Sequence, residues 1–78
     1  MSAEVTSDSI TLTMRMRVRN ALEYMRAFGE ETFPYDQSAP YKALEGRLLI
    51  ELVTVDGTKR WRFTAKAAPL LKTFELAP

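Results

Sequence analysis

Two residues, Asp56 and Gly57, constrain this chain more than any others. They separate Ile50-Glu51-Leu52-Val53-Thr54-Val55 from Thr58-Lys59-Arg60-Trp61-Arg62-Phe63, two runs rich in β-branched and aromatic side chains. An Asp-Gly pair between such runs predicts a β-hairpin with a two-residue turn, here spanning 48–55 and 58–65. A turn that short sets the register. Val55 then faces Thr58, Leu52 faces Trp61 and Ile50 faces Phe63. Ile50, Leu52, Trp61 and Phe63 share one face, which should be the sheet's contribution to the core. On the other face Glu51 lies opposite Arg62 and Val53 opposite Arg60, leaving Lys59 and Arg60 as the freer charges.

The flanking segments read as helices. Ser38 is a plausible N-cap for a helix running to about Arg47, with Pro40 in its first turn. Its apolar residues Tyr41, Leu44 and Leu48 recur at spacings of three and four, which leaves Lys42 and Glu45 facing water or a partner. After the hairpin, Thr64 caps a last helix from Ala65 to about Glu75, where Pro69 predicts a late start or a kink. Upstream, two patterns compete. Ile10, Leu12, Met14, Met16 and Val18 alternate with Thr11, Thr13, Arg15, Arg17 and Arg19, as in a half-buried strand. Met14, Val18, Leu22, Met25 and Phe28 instead follow a helical stripe that stops at Gly29. The compromise is a short strand at 10–12 and a helix from about 14 to 28 capped by Thr13, with a strand to Val18 and a helix from 21 as the rival. Between Glu30 and Pro40 the prolines forbid a long helix.

The expected fold is therefore α+β, with two or three helices packed on a hairpin and a third short strand at 10–12. Residues 10–78 form the single domain and residues 1–9 a frayed tail without the basic-then-apolar run of a signal peptide. The chain has neither Cys nor His, which removes the usual zinc ligands, thiol nucleophiles and imidazole bases together. Glu30 and Glu31 are adjacent on a surface turn, with no glycine-rich phosphate loop beside them. Catalysis is not expected, nor a metal or cofactor. No apolar stretch approaches the roughly 20 residues of a membrane span, so the expectation is a cytoplasmic protein that avoids membranes. A core this small also predicts a homodimer, with Leu70, Leu71, Phe74 and Leu76 partly against a second chain.

Charge is unevenly spread. Residues 1–40 hold four Arg against six acidic residues, and residues 41–78 hold seven basic against four acidic. Lys59, Arg60 and Arg62 make the hairpin a local basic prong, compatible with phosphate contact. The plainer alternative is an edge strand kept soluble by its charges.

Ala43-Leu44-Glu45-Gly46-Arg47-Leu48-Leu49-Ile50 resembles the exit from the recognition helix of winged-helix regulators of the MarR and PadR type. Arg60-Trp61-Arg62-Phe63-Thr64-Ala65-Lys66 is similar to their wing-exit pattern, and Arg19-Asn20-Ala21-Leu22-Glu23-Tyr24 passes for their first helix. The resemblance covers about 19–72 and is specific from Leu44 to Leu71. Leu48 and Ala67 stand where the family has glycine. Only Glu30 to Arg47 is available for a helix-turn-helix that needs about twenty residues, so the positioning helix must be very short or lost. The chain then looks like a reduced winged helix of the kind found in small phage, prophage and mobile-element proteins. Such proteins include transcription regulators and also inhibitors that grip a host protein.

The resemblance implies double-stranded DNA as partner, with Ser38, Tyr41 and Lys42 probing the major groove and Lys59 and Arg60 meeting phosphates. Arg47 and Arg62 complete that set. The alternative is a protein-binding module that uses Phe33 and Tyr35, on the proline-rich loop, as exposed anchors.

Overall fold

The computed structural model describes residues 10–75. The first helix, α1, spans Leu12–Phe28. Its N-cap is Thr11, whose hydroxyl accepts the Met14 N–H at 3.1 Å, so the helix begins two residues earlier than expected and Thr13 caps nothing. The helical stripe prevails over the strand alternation because it brings more residues to the core. Ile10, Met14, Val18 and Ala21 are buried, whereas Leu12 and Met16, which a strand would have buried with them, are 73% and 50% exposed. Gly29 ends the helix in the left-handed conformation, and the N–H groups of Gly29 and Glu30 both reach the Met25 carbonyl.

No strand forms at 10–12. The third strand, β1, is instead Phe33–Pro34 in the proline-rich segment, paired antiparallel with Trp61 and Arg60. It lies at the sheet edge, where a proline's missing N–H breaks no ladder bond. Helix α2 is Ala39–Gly46, with Ser38 as N-cap and Pro40 in the first turn as expected. Its exit is a Schellman motif: Leu48 N–H bonds Glu45 O at 2.8 Å and Leu49 N–H bonds Leu44 O at 3.1 Å. Leu48 takes the left-handed position at φ 64°, which shortens the following strand relative to the sequence expectation.

The hairpin has the expected register. β2 (Ile50–Val55) and β3 (Thr58–Phe63) pair Ile50 with Phe63, Leu52 with Trp61 and Val55 with Thr58, around a turn whose residues Asp56 and Gly57 both have positive φ. The sheet order is β1-β3-β2. Burial, however, falls from the base of the hairpin to its tip. Ile50 and Trp61 are fully enclosed and Phe63 is half-buried, but Leu52 is 43% exposed, because the tip extends past the elements that cover the base. Trp61 packs against Tyr35 with ring centroids 4.9 Å apart, and its indole N–H donates to Asp36 O at 3.1 Å. That bond satisfies its one buried polar group.

After β3 the chain makes a 3₁₀ turn, Ala65–Ala67, before α3, Ala68–Glu75. The late start expected from Pro69 is present. The Thr64 hydroxyl does not cap the turn and donates instead to Leu48 O, tying the α2 exit to the end of β3. Leu70 is buried, and Leu71 and Phe74 pack on the same core. The apolar face of α3 thus packs at least in part on its own chain, while Leu76 and the expected tail at 1–9 lie outside the described residues. Among the described residues no helix is long and apolar enough to cross a membrane.

Candidate nucleic-acid interface

The residues expected to contact DNA lie on α2 and the hairpin, but their charges are not equally available. Ser38, at the start of α2, is exposed, and its N–H donates to Asp36 Oδ1 at 2.7 Å, which presents the first turn of the helix. Tyr41 is half-buried, with its ring 6.4 Å from that of Phe33. Burial raises its hydroxyl pKa above the usual tyrosine range, against the opposing pull of Arg17 and with a smaller push from Asp36. Tyr41 thus stays a neutral donor at physiological pH. Lys42 is exposed and pairs with Glu45 at 3.2 Å, one turn along the helix. Arg47 folds back so that Nη1 donates to Ala43 O at 3.3 Å. This adds a second bond to a carbonyl that already accepts the Arg47 backbone N–H, at the negative end of α2.

On the hairpin the expectation needs correcting. Arg60 is not a free charge. Its Nε donates to Thr32 Oγ1 at 3.0 Å, and Nη2 donates to Glu30 Oε1 at 2.7 Å, to Tyr24 Oη at 3.2 Å and to Thr32 O at 3.3 Å. With its side chain 18% exposed, Arg60 clamps the C-terminal end of α1 and the loop before β1 onto β3. The Tyr24 hydroxyl it donates to is the largest influence raising its already high pKa, against desolvation and with a smaller contribution from Glu30. Arg62 is neutralised as the register predicts, by two bonds to Glu51 Oε2. Lys59 differs: its ammonium lies 5.7 Å from the centre of the Tyr35 ring, with no carboxylate partner among the described residues.

Of the three arginines of the N-terminal alternation, Arg15 and Arg19 lie one turn apart on one side of α1, and Arg17 lies on the other. Arg15 lies 5.2 Å over Phe74, Arg19 pairs with Glu23 at 3.5 Å, and Arg17 acts on Tyr41. Arg17 has no carboxylate partner among the described residues.

The anchors of the protein-binding alternative are also corrected. Phe33 is a core residue, 5.0 Å from Phe63 and fully enclosed, while Tyr35 is half-buried against Trp61. Both instead border an open groove of about 270 Å³ between α1, β1 and the start of α2, together with Asn20, Tyr24, Asp36 and Tyr41. Sequence reasoning missed Asn20 and Tyr24 as parts of this surface. No local pattern links them to Tyr35 and Tyr41, because folding alone brings the segments together. No protein-family model, curated protein or solved structure matches this chain.

Proposed function

We propose that this chain is a reduced winged-helix DNA-binding protein, a small transcription regulator of the phage or mobile-element kind, acting in the cytoplasm. The observation that carries the reading is the arrangement around α2. A helix with an exposed N-terminal turn leads directly into a hairpin, in a sheet ordered β1-β3-β2, and that hairpin carries Lys59, which has no carboxylate partner among the described residues. The winged-helix resemblance of the sequence supports the same assignment. In this reading Ser38, Lys42 and the Tyr41 hydroxyl approach base edges, while Lys59 and Arg47 meet phosphates. Arg60 holds the scaffold, and Arg62 is already neutralised by Glu51. At eight residues α2 is about 12 Å long. One copy would read only a few base pairs, so pairing of two copies on a repeated site would raise the footprint.

Duplex affinity measured against salt tests this. Each phosphate neutralised contributes about 0.9 to the slope of log affinity on log salt. Lys59→Ala and Arg47→Ala should each flatten it by about that amount. Lys42→Ala should weaken a preferred sequence more than a random one. A wild-type chain that binds no duplex at low salt would end the reading and leave a protein partner as the alternative.

A further inference from the structure

We infer that the groove beside α2 holds one unpaired nucleobase, so that this chain favours DNA with a single-stranded segment next to the duplex. The inference rests on the DNA-binding reading and adds the form of DNA recognised. Three tyrosines (Tyr24, Tyr35 and Tyr41) line a concavity of about 270 Å³. That is below the roughly 300–1,000 Å³ of sites that enclose a small molecule, and suits a single planar group projecting from a larger partner. Aromatic side chains beside a basic rim are what unpaired bases use: the ring stacks and the backbone phosphates find cations. Here the cation at the groove is Lys59, which has no carboxylate partner among the described residues. Its ammonium lies 5.7 Å from the centre of the Tyr35 ring, on the wall of the groove.

The polar groups of the groove fit a base edge. Asp36 has one carboxylate oxygen taken by the Ser38 N–H, which leaves the other to accept from an exocyclic amino group. Asn20, exposed on α1, makes no side-chain hydrogen bond among the described residues and offers both a donor and an acceptor. A base within a duplex cannot enter, because its faces are covered by its neighbours. A proline-rich peptide would also stack on tyrosines, but it would leave Lys59 without a counter-charge.

The test compares a blunt 16-base-pair duplex with the same duplex carrying a four-nucleotide 3′ tail, by fluorescence anisotropy at one salt concentration. The tailed duplex should bind about 5- to 150-fold more tightly, the range for one stacked base. Tyr41→Phe should keep that ratio and Tyr41→Leu should bring it towards one, with circular dichroism confirming that both variants fold. Asn20→Trp, at an exposed helix position, fills the groove and should also abolish the ratio, which covers the case of a Tyr41→Leu chain that does not fold. Equal affinity for tailed and blunt duplex, or a ratio untouched by Asn20→Trp, overturns the inference and leaves the duplex reading standing. Absence of binding to either DNA overturns both.

Discussion

Gly29 and Leu48 occupy the same backbone conformation, φ 64°, at the ends of two helices, yet one is glycine and the other leucine. For an L-residue the left-handed region costs about 1–2 kcal/mol, because Cβ approaches the following carbonyl. Glycine avoids this but loses more backbone freedom on folding, worth about 0.4–1 kcal/mol. Comparing Leu48→Gly with Leu48→Ala isolates the conformational part, since both variants remove the same contacts beyond Cβ. Leu48→Gly should be the more stable by about 1 kcal/mol, or about 4–8 °C in thermal midpoint for a domain this small. Gly29→Ala is the mirror experiment. A Cβ there meets nothing within 4 Å, so its cost is conformational and should be of similar size. Gly46 sharpens the contrast, because this chain places a glycine inside α2, where alanine is better by up to about 0.5–1 kcal/mol, and a leucine at the cap. Melting curves of Leu48→Gly, Leu48→Ala, Gly29→Ala and Gly46→Ala decide it. A Leu48→Ala chain as stable as Leu48→Gly would refute the account of the α2 exit.

The clamp at Arg60 makes the second prediction. Arg60→Ala should lower the thermal midpoint, yet leave the salt slope of the folded fraction near that of the wild type, the reverse of Lys59→Ala. An Arg60→Ala chain with unchanged melting and a flattened slope would return Arg60 to the phosphate contacts. Trp61→Ala removes the largest enclosed side chain and should cost about 3–5 kcal/mol, comparable with the whole stability of such a domain at about 0.05–0.15 kcal/mol per residue. A cooperative melt near the wild-type midpoint would contradict that. Tyr41, with its folded pKa raised by burial, contributes stability that is complete below the unfolded value near 10 and is lost as pH rises through the folded value. Absorbance titration of wild type against Tyr41→Phe should show the missing tyrosine to be one that ionises late, and an early one would remove the burial argument.

The parts of this fold that were legible in the sequence are those set by near neighbours. The hairpin register follows from two turn residues and a period of two, and with it the Glu51–Arg62 pair. The cap at Ser38 and the delay at Pro69 are similarly local. Illegible features were those settled by distant chain. β1 has two residues, one a proline, and forms a strand only because Trp61 and Arg60 arrive beside it. Leu52 has the same polarity and parity as Ile50, and only the extent of the covering elements leaves one exposed and the other enclosed. Thr11 and Thr13 are equivalent as caps until Ile10 and Met14 choose the helix phase that buries both.

The same division explains why the candidate interface changed shape. Counting charges on the hairpin gave Lys59, Arg60 and Arg62 one meaning, whereas each now has a different one. Glu51, directly across the ladder, takes Arg62, which the register could foresee. Arg60 is taken by groups 28 to 36 residues away, the Thr32, Glu30 and Tyr24 cluster, which no spacing rule connects to it. Lys59 is defined by what remains. A basic residue is available to a phosphate only to the extent that the fold has not already supplied its acceptors, so the relevant count is of unspent cations, and it is a tertiary property. On that count the hairpin keeps Lys59, and α1 keeps Arg15, Arg17 and Arg26, none with a carboxylate partner among the described residues. Arg17 acts on Tyr41 and Lys59 lies over Tyr35, and both tyrosines line the same groove. Of the three hairpin cations only Lys59 is left free of a carboxylate among the described residues, and it stands over Tyr35 at the groove, so the groove and the hairpin tip are to be tested together.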